Sequence, residues 1–170
     1  SSRDPRAIRL YAGAGFAVHP VVRAVGTLHP GVHGSGASDL RVGSPADLDL
    51  VSNIDRSIRG AARPGDIEHL LRVDGATLLL DSDRAYVVAK ADRVITAAGR
   101  DVPSALRVLG GAMALAPAGG PFRVDWITTA QSWVVAPVLA AGLELIPAGP
   151  VMTFGMPGPP TPAIPSGGYG

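Results

Sequence analysis

Cysteine is absent from this chain, which excludes thiolate catalysis, disulfides and cysteine-ligated metal. Lysine is almost absent as well: Lys90 is the only one among 15 basic residues. The 14 acidic residues nearly balance them, and a net charge of +1 lacks the clustered basic surface that nucleic-acid binding needs. Aromatic residues are few, with two Trp, three Tyr and three Phe, so the core must be built from Ala, Val and Leu. No apolar run approaches the ~20 residues of a membrane span, and no signal-peptide pattern opens the chain. The expectation is a cytoplasmic protein with no nucleic acid or membrane as partner. Charge is also locally scarce. After Asp125 only Glu144 carries one, which marks the C-terminal third as buried in the fold or against a partner.

What remains is ample for a folded domain. Of 170 residues 46% are hydrophobic, far above the level of a disordered chain. A chain of about 150 residues buries roughly two-thirds of its unfolded surface, so no metal or disulfide is required. Asp4 to Ala14 reads as a short helix with Ser1, Ser2 and Asp4 as candidate caps, Pro5 at the first position, and Gly13 and Gly15 as stop signals. Phe16 to Leu28 is extended and β-branched, and His29 to Ser38 is a linker by composition. Further on, Leu40 to Val42 reads as a strand, Ser44-Pro45 opens a helix, and Pro64 to Arg72 is a second one. Three strands follow at 76–80, 85–91 and 94–97, joined by polar turns. The remainder reads as a helix at 103–116, a strand at 121–129, a helix at 131–141 and a strand pair at 143–154. From Met156 the chain is Pro/Gly-rich and extended. A mixed, mostly antiparallel sheet flanked by helices accounts for this order.

The chain also resembles itself. A shift of 127 residues (Ala14 to Ala141) lays Ala14-Gly15-Phe16 on Ala141-Gly142-Leu143 and Pro20 on Pro147. Each copy is an apolar helix that ends at a glycine and continues as a strand.

Asp4-Pro5-Arg6-Ala7 and Leu10-Tyr11-Ala12-Gly13-Ala14-Gly15-Phe16 resemble the closing helix-to-strand signature of the GNAT superfamily, the acyl-CoA-dependent N-acyltransferases. The segment from Asp39 to Phe154 resembles a second domain of that superfamily in element order. The resemblance implies four parts: residues 1–28 closing a preceding GNAT domain, 29–38 a linker, 39–156 a diverged GNAT-like domain, and 157–170 a tail. It implies acetyl-CoA as co-substrate, an amine as acceptor, no metal, and a homo-oligomer or a companion GNAT domain as packing partner.

Two sites follow from the resemblance. Tyr11 stands where many members carry the acid that protonates the departing thiolate, whereas the 127-residue shift puts Val138 there in the second copy. Ala98, Gly99, Arg100, Val102 and Ser104 stand where the superfamily cradles the CoA pyrophosphate with backbone N–H groups at a helix start. That loop departs from the family pattern: it has one glycine, Asp101 brings negative charge, and Pro103 lacks a donor. Two readings therefore stand, an N-acetyltransferase of which this chain is the C-terminal portion, and a catalytically degenerate GNAT-like domain with a structural, dimerising or regulatory role. Elsewhere bland readings prevail. Asp55 and Arg59 form an ordinary i,i+4 pair. His29 and His33 lack a metal scaffold, His19 and His69 read as structural or solvent-facing, and Trp126, Gln131 and Trp133 cluster around the last strand and helix.

Overall fold

The computed structural model describes residues 3–31, 39–156 and 158–166. His33 and most of the expected linker lie outside them. The first helix, α1 (Pro5–Gly13), starts where Asp4 accepts the Arg6 N–H and Pro5 needs no partner for a missing donor. It runs into a long strand, β1 (Ala17–Thr27). After the short strand β2 (Arg41–Val42), Ser44 and Asp47 form a reciprocal capping box that opens a turn of 3-10 helix and then α2 (Leu48–Arg59). Gly60, at φ 75°, ends α2 in the left-handed conformation that glycine adopts without strain. The next helix, α3 (Pro64–Arg72), begins on proline.

Three antiparallel strands come next, β3 (Thr77–Asp81), β4 (Ala85–Lys90) and β5 (Arg93–Gly99). They are followed by α4 (Val102–Ala114) and β6 (Pro121–Ile127). The expected helix at 131–141 divides into a 3-10 segment, Thr129–Val134, and α5 (Val135–Ala140), because Gln131 leaves helical geometry to close a capping box with Thr128. The expected strand pair at 143–154 is one strand, β7 (Glu144–Thr153).

The strands form one sheet in the order β2-β3-β4-β5-β6-β1-β7. Every neighbouring pair is antiparallel except β5 and β6, which are parallel and share only the registered pair Arg93 and Arg123. Residues 17–27 thus lie inside this sheet, paired on both edges. The Pro/Gly-rich segment does not simply trail away either. Ala163–Ile164 returns as β8, antiparallel to the C-terminal half of β5.

Alternation along the strands sends side chains to two cores. Leu79, Val87, Ala97 and Phe122 meet α4 and α5 on one face, with Val108, Leu109 and Val138. Leu78, Leu80, Tyr86 and Val88 meet α2 and α3 on the other, with Val51, Ile54, Ile67 and Leu70. Helices on both faces of a mixed sheet, with a parting between its two parallel strands, are the features that position the site.

Candidate functional site

Because β5 and β6 part after one registered pair, a slot opens between their C-terminal ends. β8 occupies it. Ala163 and Ile164 are fully buried there, and Gly99 donates its N–H to the Pro162 carbonyl at 3.0 Å. Thr96 donates its hydroxyl to the Ile164 carbonyl, also at 3.0 Å. The approach to β8 is held as well: Gln131 donates Nε2 to the Pro160 carbonyl at 3.0 Å, and Thr161 donates its hydroxyl to the Ala130 carbonyl at 2.8 Å. Together with the registered pairs to β5, these hydrogen bonds make the segment a built part of the sheet.

Beneath β8 lies a polar cluster that sequence reasoning understated. Asp55 is 0% exposed. Its Oδ1 accepts from the Tyr86 hydroxyl at 2.6 Å and from Arg59 Nε at 2.9 Å, and Arg63 Nε lies 3.5 Å from Oδ2. Arg59 reaches on to the Ala97 carbonyl at 3.0 Å and the Ile164 carbonyl at 3.4 Å. The expected i,i+4 pair of Asp55 and Arg59 is present, and it is part of a buried clasp joining α2, β4, β5 and β8. Burial, with a carboxylate beside the hydroxyl, pushes Tyr86 up to about 12, so it stays protonated and donates to Asp55. One signal was present in the sequence: Asp55 falls one turn from Val51 and beside Ile54, within the apolar stripe of its helix.

The turn from β5 into α4 carries the expected pyrophosphate residues. Ala98 is buried and pairs with Tyr86 on one side and Ala163 on the other. Gly99 ends the strand where a Cβ would meet the Ala105 nitrogen at 3.0 Å. Arg100 turns back, donating Nε to the Asp83 carbonyl at 2.9 Å. Val102 begins α4, which places Pro103 second in the helix. Ser104 is fully buried, and its N–H goes to Asp101 Oδ1 at 2.8 Å. Asp101 also pairs with Arg84. Those contacts, the Ser104 backbone N–H foremost, hold the Asp101 carboxyl down at about 2. The helix start that would receive an anion thus holds the chain's own carboxylate.

Tyr11 stands apart from this turn. It lies on α1, which leads into β1, two strand positions from β5. Its ring is 45% exposed and meets Phe16 edge-on at 5.3 Å, while Phe16 in turn meets Phe154 at 5.0 Å. The structure brings Ala98, Gly99, Arg100, Val102 and Ser104 together and leaves Tyr11 on another surface.

Two cavities border the tail. One, about 400 Å³, is mostly apolar and lies between Arg59 and Arg63 on one side and Met152, Phe154 and Pro165 on the other. The other, about 600 Å³, is lined by His19, Ile58, Ala130, Met156 and Pro160. In it His19 Nε2 lies 2.9 Å from the Thr153 hydroxyl. Among the described residues no three His, Asp or Glu side chains gather as a metal site would require. No helix of the described residues is long and apolar enough to cross a membrane.

Layer order, the parted parallel strands and the helix starting just after β5 make a mixed α/β, GNAT-like fold. The chain is similar to the crystal structure of a provisionally assigned acetyltransferase from Pyrococcus horikoshii, with a TM-score of 0.70 and 17% identity. The match covers 90% of this chain and 51% of that one, so this chain spans about half the length of its structural neighbour. No family model and no curated protein matches it.

Proposed function

We propose that this chain is part of an acyl-CoA-dependent N-acyltransferase, and that within it this domain is the partner that does not perform the chemistry. The fold supports the first half of the reading, together with the acetyltransferase assignment carried by the structural neighbour. The occupied slot carries the second half: β8 uses the hydrogen-bonding edge of β5 that an extended ligand would need. Asp101 adds to it, because a carboxylate at the α4 start repels a pyrophosphate and already uses the Ser104 N–H. The residues present therefore do not fit acetyl-CoA, and Ala98, Gly99, Arg100, Val102 and Ser104 serve as a strand-to-helix turn here. Tyr11 belongs with the other surface, where only a companion domain could give an acid something to act upon.

Acyl transfer to an amine would accordingly take place on the companion, with acetyl-CoA and the amine as its ligands. Calorimetric titration of acetyl-CoA into this chain tests the reading. No saturable heat below millimolar ligand is expected. Micromolar binding weakened by Arg100→Ala would contradict it and restore the loop as a working pyrophosphate site.

A further inference from the structure

Two irregularities of the sheet meet at one place on β1. Opposite Arg23, β6 places two residues, Asp125 and Trp126, where an even ladder has one, since Val22 pairs with Ile127 and Ala24 with Val124. Opposite Pro20, β7 likewise places two, Gly149 and Pro150, between the pairs His19–Val151 and Val21–Ala148. Each is a β-bulge, a device that bends a strand and re-aims a side chain. The first keeps Val124 and Ile127 both in the core. Trp126 consequently stands at φ 63°, a left-handed conformation that a bulky residue adopts at a cost. Glycine or asparagine would hold the same turn with less strain, so the bulge alone does not call for an indole.

A cavity of about 300 Å³ lies between the two bulges, lined by Arg3, Arg23, Asp125, Trp126, Ala148 and Gly149. In it one carboxylate is surrounded by cations. Asp125 Oδ1 lies 2.6 Å from Arg23 Nε, and its Oδ2 lies 2.8 Å from Arg123 Nε. Among the described residues neither Nη nitrogen of Arg23 meets a hydrogen-bond partner. Arg3 brings a third guanidinium, and the acid next to it in the chain, Asp4, is paired with Arg6. Three guanidiniums against one carboxylate leave an excess of two positive charges beside the indole.

We propose that this cavity binds a compact organic phosphate, a dianionic phosphomonoester with a flat or apolar body. The free edge of the Arg23 guanidinium supplies the planar fork that matches phosphate oxygens. The excess of two charges matches the dianion and outweighs the repulsion from Asp125. The Trp126 indole receives the body of the ligand, which gives its strained backbone a use that a plain bulge lacks. The site uses neither the β5 slot nor the α4 start, and it is independent of the acyltransferase reading.

Phenyl phosphate is the probe, titrated into the isotope-labelled chain while the indole N–H resonances of Trp126 and Trp133 are followed by NMR, with Trp126→Phe assigning the first. The expected result is a saturable shift of the Trp126 resonance with a dissociation constant of about 1 mM or below, while Trp133 does not move. Inorganic phosphate should bind at least about tenfold more weakly, because it offers nothing to the indole. Arg23→Lys keeps a cation beside Asp125 but lacks the fork, so it should fold like wild type and bind phenyl phosphate at least about tenfold more weakly. Arg9→Gln, at an exposed position on α1, should bind as wild type does. No saturable shift up to about 10 mM would overturn the proposal. So would equal affinity for the two phosphates, or an Arg23→Lys variant that binds as well as wild type. Equal losses in Arg9→Gln and Arg23→Lys would overturn it too, since they would mark diffuse attraction to surface arginine.

Discussion

The α1–β1 and α5–β7 units are built alike and live differently. Each is a short helix closed by Ala-Gly with glycine in a positive-φ conformation, and each continues as a long strand. One presses Val138 into the core, fully buried, while the other holds Tyr11 nearly half in solvent. Local sequence determines that a helix stops and a strand starts, because capping and glycine geometry act within a few residues. Whether the helix face is buried depends on a layer contributed from elsewhere.

The largest effects should separate the two units at once. Val138→Asp places an unpaired charge in the core and is expected to cost more than about 4 kcal/mol, enough to leave much of the chain unfolded. Tyr11→Asp at the counterpart position should change stability by less than about 1 kcal/mol in the same chain. Urea denaturation of both variants gives the comparison, and equal losses would break it. Asp55→Ala leaves two guanidinium groups without their carboxylate and should cost about 3–5 kcal/mol by the same measurement.

A finer contrast uses the two cap glycines. Either alanine substitution costs roughly 1–2 kcal/mol for the left-handed backbone. At Gly142 the new Cβ also meets the His29 ring at 2.6 Å, whereas at Gly15 its nearest neighbour is Phe154 at 3.7 Å. Gly142→Ala should therefore have the lower thermal midpoint, and the reverse order would put the difference between the units in doubt. The smallest effect concerns Asp101. Its alanine variant loses the α4 cap, worth about 1 kcal/mol. The folded-state carboxyl sits at about 2, below its unfolded value, so its contribution is complete above pH ~4–5 and fades as the pH falls towards 2. Wild type and Asp101→Ala should thus converge in stability at the acid end of a pH series.

Much of the fold is legible in the sequence wherever the signal is local. Asp4-Pro5, Ser44-Pro45 and Pro64 open helices where expected, and polar turns at 82–84 and 91–92 join the three-strand meander. The layer order implied by the GNAT resemblance is the one observed. What escaped the sequence depends on distant partners. Nothing in Ala17 to Thr27 says that it will lie between β6 and β7, since strand neighbours are chosen by tertiary packing. Ala163-Ile164 is too short for any periodicity to mark it as a strand, and it becomes one only because β5 and β6 diverge. Asp55 read as half of an ordinary i,i+4 pair because helix spacing identifies its neighbour Arg59 and not Tyr86 or Arg63.

The site teaches the same lesson. Asp101, Pro103 and the single glycine were visible as departures, and they weaken the loop as proposed. The second closure, by β8, had no sequence signature. Hydrogen exchange at the Gly99 amide, which donates to the Pro162 carbonyl, measures that closure directly. The account predicts slow exchange that is unchanged by millimolar acetyl-CoA. Fast exchange without ligand, or a loss of protection when acetyl-CoA is added, would mean that β8 leaves the slot, and would contradict the account.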